Sequence, residues 1–238
     1  MNTRERYEWT PEYCSLAKFD AVEFCARLNG SKVLFVGDSV INQQAVTLMS
    51  AVTSGGGDCA YNIIFGRNSE LINPLSTHFR MDWMEFIHYT KAQIVIVGFG
   101  AHFHSVDSYL SAWETIGSMY LKDAELLRSR NVTIIFKTNN PGHLNCSNSL
   151  SPRLSPKFID KHEHIDYYQW GLFPLFDSIG KSRARKYGFK IIDMYPLYLR
   201  PDGHPPGGDC LHYCMPGPLN FMNDVLLTMM RTKEIALQ

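Results

Sequence analysis

Apolar positions recur along the chain in two rhythms. Runs such as "VLFV", "IVIVG" and "TIIF" are continuously apolar, the mark of strands buried on both faces. Between them lie longer stretches with apolar residues three and four apart, the mark of helices that bury one face. The pattern predicts strands at 33–36, 60–65, 93–98, 132–137 and 189–193. It predicts helices at 16–30, 40–53, 106–130, 167–188 and 219–232, with the fourth disturbed at Pro174. Gly30 and the run Gly55-Gly56-Gly57 end the first two helices. Residues 66–90 read as irregular or as a hairpin, and 138–165 as a long loop.

Strands alternating with helices predict an α/β fold: a three-layer α/β/α sandwich around a doubly wound, mostly parallel sheet. With 238 residues, 45% of them apolar, and no linker or repeat, a single domain spanning 1–238 is expected. In such sheets, sites form where loops leave the carboxyl ends of strands. That rule brings Ser39, the 98–104 loop and the 138–146 loop together.

Net charge narrows the partners. It is zero at neutral pH, so no broad basic field exists for nucleic acid. No apolar run approaches the roughly 20 residues that span a bilayer, so no membrane contact by this chain is expected. The opening residues carry no signal-peptide core. Six cysteines (Cys14, Cys25, Cys59, Cys146, Cys210 and Cys214) and sequons at Asn29, Asn131 and Asn145 lean toward an oxidising, secretory setting. Either the sequence is a trimmed piece or fragment of a longer protein that carries the signal or anchor, or the lean toward secretion is wrong. Cys25, inside a predicted helix, reads as a buried free thiol. Cys210 and Cys214 lack a second close pair for zinc, and the histidine pairs His102/His104 and His162/His164 have no supporting ligands, so no metal is expected.

Candidate chemistry begins at "VGDSVINQQ". Ser39 follows a buried strand and opens a helix, through a turn begun by Gly37 and Asp38. This placement suits an N-cap, and equally a nucleophile whose oxyanion is held by main-chain N–H groups. Serine needs a base, and the base an orienting carboxylate. "GGDCLHYC" supplies both: Asp209 and His212, three apart in a loop, can meet within one turn. Alone, each motif is a turn; as a pair at the two ends of the chain they favour catalysis.

Several stretches, in order, resemble one family. "YEWTPEYCSLAKFDAVEFCARLNGSKVLFVGDSVINQQ", "VIVGFGAHF", "FKTNNPGHL" and "YLRPDGHPPGGDCLHYCMPGPLNFMNDVLL" are similar to successive blocks of the PC-esterases and the trichome-birefringence-like polysaccharide O-acetyltransferases, within the SGNH/GDSL clan. The resemblance implies Ser39 as nucleophile, His212 as base and Asp209 as its partner. It implies a Cys146–Cys210 bridge tying the catalytic loop to the third block. It implies action in the secretory lumen, in the Golgi for many members, on sugar hydroxyls of polysaccharides. The family's Arg and Asn at the third and fourth positions after the serine are here Asn42 and Gln43, and its Thr-Gly-His-Trp is Gly100-Ala101-His102-Phe103.

Around this core, Gly100, Asn42, His102, Asn139 and His143 are the candidate oxyanion or substrate-binding residues. His204 is a candidate brace for the catalytic loop. The aromatics of "IDYYQW" are expected in the core, and "KSRARK" on a solvated helix face. The resulting expectation is a serine-dependent carbohydrate O-acyltransferase working through an acyl-enzyme on Ser39. It binds no cofactor and takes acetyl from a co-substrate such as acetyl-CoA or an acetylated carrier. A carbohydrate O-acetyl esterase and a non-catalytic carbohydrate-binding module on a decayed esterase scaffold are the alternatives.

Overall fold

A computed structural model describes residues 7, 9–12, 15–72, 81–159, 168–235 and 237. The expectations for Cys14, His162, His164 and Tyr167 lie outside the described residues.

Five parallel strands form one sheet: β1 (Val33–Gly37), β2 (Ile63–Arg67), β3 (Ile94–Gly98), β4 (Thr133–Lys137) and β5 (Lys190–Ile192). Their spatial order is β2-β1-β3-β4-β5. The chain therefore winds outward from β1 to β2 and then returns to the other side of β1. That reversal opens a crevice beyond the carboxyl ends of β1 and β3, the usual ligand position in such sheets.

Alternation along each strand divides the core in two. Val33 and Phe35 face one layer with Ile94, Ile96 and Ile135; Leu34 and Val36 face the other with Val95, Val97 and Phe136. Helices α1 (Ala21–Leu28), α2 (Ser39–Ser54) and α6 (Phe221–Arg231) cover the first face. Helices α3 (Trp83–Thr90), α4 (Val106–Ser129) and α5 (Phe173–Lys186) cover the second.

Three expectations are corrected. The stretch read as irregular contains α3, which starts with a complete capping box between Asp82 and Glu85. Pro174 does not disturb α5 but sits in its first turn, where an N–H has no helical acceptor to lose. Cys25 is not a free thiol: it is bridged to Cys59, joining the end of α1 to the segment before β2. Within "KSRARK", Lys181 pairs with Asp193 at 2.8 Å and Arg183 with Glu114 at 2.7 Å.

Two glycines let α2 come close to the sheet. Gly37 and Gly98 are register partners on β1 and β3. A Cβ on Gly37 would lie 2.3 Å from the Gly98 carbonyl oxygen and 2.5 Å from Ile41, and one on Gly98 would lie 2.4 Å from Ile41. Ile41, in the first turn of α2, occupies that space.

Candidate active site

The cap of α2 is Asp38 and not Ser39. The Asp38 carboxylate accepts the N–H groups of Val40 and Ile41, at 2.9 and 3.3 Å. The Ser39 hydroxyl is thus released from the capping role that its position suggested. It lies 2.8 Å from His212 Nε2. On the far side of the ring, Nδ1 lies 2.9 Å from Asp209 Oδ2. An ionised carboxylate only accepts, so Nδ1 carries the proton and the Nε2 lone pair receives the Ser39 O–H.

Asp209 is held in place by its own loop. Its Oδ1 accepts the N–H groups of Leu211 and His212, at 3.2 and 3.1 Å. Desolvation works to raise this carboxyl, but those two N–H groups and the His212 ring outweigh it and hold the pKa below its ordinary value. The side chain is still half exposed, at 51%, against 24% for His212.

The loop that carries the base has little regular structure of its own. It is held by contacts to neighbours. Cys210 is bridged to Cys146, and its carbonyl accepts the His143 N–H at 2.9 Å. The Cys214 N–H donates to Gly203 O at 2.8 Å. His204 Nδ1–H donates to the His212 carbonyl at 2.7 Å, which is the bracing role considered for it. From α2, Gln43 Nε2 donates to the Tyr213 carbonyl at 2.8 Å while its Oε1 accepts the Tyr213 N–H at 3.1 Å.

His143 is not a surface group lining a pocket. It is buried, and its Nδ1 lies 2.7 Å from His204 Nε2, its Nε2 3.3 Å from the Tyr198 carbonyl. Burial lowers both histidines, His143 to about 3 and His204 to about 4, so the pair is neutral at physiological pH. Two neutral rings carry two N–H protons, taken up by the 2.7 Å contacts to His204 Nε2 and to the His212 carbonyl, so the 3.3 Å contact at Tyr198 is left without one.

Asn139 is also buried and committed. Its main-chain N–H and Nδ2 both donate to Asp177 Oδ1, at 2.8 and 2.7 Å. Gly100 lies directly over its amide: a Cβ there would fall 2.2 Å from Asn139 Oδ1. Asn139 thus fixes the loop after β3 from below. Asp177 is raised to about 7 by burial, against the pull of the Asn139 donors. Asn42 is exposed on α2, one turn beyond Ser39 and on the same side. His102 is half-buried, edge-to-face with Tyr168 at 5.8 Å between ring centroids, and close enough to Asp38 to act on its charge. Buried Lys137 donates to Asn140 Oδ1 at 2.7 Å; desolvation lowers its pKa to about 8.

Gln43 was missed by sequence reasoning as a site residue. The available signals were an amide four residues after Ser39 and its place opposite the family's Asn.

A parallel sheet in the order 2-1-3-4-5 with helices on both faces is the SGNH/GDSL-like fold, and Ser39 after β1 meets a C-terminal Asp-x-x-His at its carboxyl edge. A Bacteroides fragilis protein provisionally assigned as an acylhydrolase shares the fold, with a TM-score of 0.50 at 16% identity over 89% of this chain and 94% of that one. No protein-family model matches the chain. Its homologues are xyloglucan O-acetyltransferases and trichome birefringence-like proteins. It is 22% identical to xyloglucan O-acetyltransferase 4 of Populus trichocarpa, over 94% of this chain and 71% of that protein. It is 23% identical to protein trichome birefringence-like 36 of Arabidopsis thaliana, over 97% and 76%.

Proposed function

We propose that this protein is a serine-dependent carbohydrate O-acyltransferase that moves an acetyl group through an ester on Ser39. The observation that carries the reading is the continuous hydrogen-bonded line from Asp209 through His212 to Ser39 Oγ. His212 Nε2 takes the hydroxyl proton as Oγ attacks the acyl carbonyl. The negative charge that develops on the carbonyl oxygen is assigned to the N–H groups of Ser39 and Gly100, aided by the N-terminus of α2. Collapse breaks the bond to the donor's leaving group, which takes the proton from His212. A sugar hydroxyl then attacks the acyl-enzyme, with His212 as base again, and Ser39 recovers its proton.

Acetyl-CoA or an acetylated carrier is the donor class this reading requires. A polysaccharide hydroxyl is the acceptor class, supported by the names of the relatives. Two disulfides support an oxidising, secretory compartment, and the resemblance in sequence implies the Golgi lumen.

Hydrolysis is the second reading. It is favoured by the exposure of the triad, since a half-exposed Asp209 leaves the acyl-enzyme open to water.

The test is a burst with 4-nitrophenyl acetate, titration with a fluorophosphonate, and the Ser39→Ala variant. One equivalent of burst and one of Ser39 adduct are expected. Ser39→Ala should lower turnover on the order of 10⁴-fold or more, because triad members act as a unit. It should change stability little, because Asp38 is the cap. Undiminished turnover in Ser39→Ala would overturn the reading. Sugar binding without any acyl-enzyme would instead make the chain a binding module.

A further inference from the structure

Ser39 and His212 belong to parts of the chain 173 residues apart. Their separation must be set by something that joins α2 to the catalytic loop. No β-ladder joins them, since the loop after β5 lies outside the sheet. The Cys146–Cys210 bridge and the His143 N–H tie the loop to the segment after β4, not to α2. His204 supports the His212 carbonyl from within the same C-terminal stretch.

Gln43 makes the direct connection. Its carboxamide pairs with both peptide groups of Tyr213, as a neighbouring strand would, with donor and acceptor both satisfied. Tyr213 immediately follows His212, and Gln43 lies one turn beyond Ser39 on the same helix. The amide therefore joins the nucleophile's helix to the base's main chain, four residues after Ser39 and one residue after His212. The ring of Tyr213 is buried and its hydroxyl donates to the Pro141 carbonyl at 3.1 Å, so the peptide that Gln43 grips cannot swing freely.

We propose that Gln43 is a positioning residue for acyl transfer, fixing the Ser39–His212 distance by its two-point grip on Tyr213. The proposal rests on the reading of Ser39 and His212 as nucleophile and base. The grip has a polarity that can be tested. Gln43→Met keeps the length and loses both hydrogen bonds. Gln43→Glu keeps an acceptor for the Tyr213 N–H, but turns a second oxygen toward the Tyr213 carbonyl, acceptor against acceptor. The contact of Asp209 with His212 lies wholly within the loop and is untouched by either change.

The experiment measures turnover of 4-nitrophenyl acetate per active site, with sites counted by fluorophosphonate titration and Ser39→Ala run beside each variant. Gln43→Met should lower kcat per titrated site by about 10- to 100-fold, the range for a misplacement of about 1 Å between reacting groups. Fluorophosphonate labelling should slow by a similar factor, while KM moves less than about threefold. The pH dependence of kcat should keep its midpoint in Gln43→Met, because the partner of His212 is unchanged. Gln43→Glu should be at least as slow at neutral pH. Measured against the parent at each pH, its deficit should shrink as pH falls enough to protonate the new carboxyl, because a carboxylic acid presents the donor and acceptor of the amide.

A merely structural Gln43 would give fewer titratable sites with normal kcat per site, and that outcome overturns the proposal. So does a full count of sites with normal kcat in both variants. If Ser39→Ala keeps full turnover, the failure lies in the reading of the triad.

Discussion

Replacing Asp209 by Asn should lower turnover by roughly two orders of magnitude, for a reason visible in the loop. Asp209 Oδ1 accepts two main-chain N–H groups, from Leu211 and His212, and Oδ2 faces His212 Nδ1. In Asp209→Asn the two N–H groups hold the amide oxygen, so the amide nitrogen takes the place of Oδ2. A donor then faces Nδ1, which favours the tautomer with its proton on Nε2. That tautomer cannot take the proton of Ser39. Turning the amide over restores the productive tautomer but forfeits two hydrogen bonds, at about 1 kcal/mol each. Losing a half-exposed charge partner for the imidazolium costs about 1 kcal/mol more. The sum, about 3 kcal/mol, corresponds to a factor of roughly 150 in kcat. The assay is the initial rate with 4-nitrophenyl acetate per fluorophosphonate-titrated site. A variant within threefold of the parent would refute the account, because the carboxylate would then have no role in orienting the ring.

The two disulfides should separate in their effects. Cys146→Ser should cost about 2–4 kcal/mol in urea unfolding and also lower kcat per titrated site, because its partner Cys210 adjoins Asp209. Cys25→Ser should cost a similar stability with kcat per site unchanged, since that bridge lies beneath the amino ends of the strands; equal kcat losses would contradict the separation. Asp177 supplies a pH test. Its carboxyl is raised from an ordinary 3.8 to about 7, so between those values the unfolded chain is ionised while the folded one retains the proton. Stability from this site is therefore fully present at acid pH and is lost as pH rises across that window. Asp177→Asn, neutral throughout, should gain at least about 2 °C in Tm relative to the parent between pH 5 and pH 8. A Tm difference that does not change with pH would mean that Asp177 ionises normally.

The three central strands, β1, β3 and β4, were the most legible because they are almost wholly buried and read as nearly unbroken apolar runs. The Asp209–His212 contact was legible because it is local, three residues within one loop. α3 was missed although its capping box, Asp82 to Glu85, stood in the sequence; a helix of eight residues shows too few turns for its period to stand out. Pro174 was read as an obstacle inside a helix because the predicted start lay a turn too early. The Cys25–Cys59 pair was not legible at all, since it depends on how α1 packs beside the segment before β2. The same holds for His143 and Gln43. Whether a polar side chain faces solvent, a substrate or a distant peptide is decided by tertiary placement.

The distance in sequence between Ser39 and His212 also bears on how the protein is made. A chain that enters an oxidising compartment amino end first presents Ser39 173 residues ahead of His212. Until His212 arrives, Ser39 has no imidazole beside it. Closing the Cys146–Cys210 bridge requires the residue next to Asp209 to be in place. On the proposed reading, the hydroxyl gains its base only once His212 has arrived and that bridge helps to hold its loop in place.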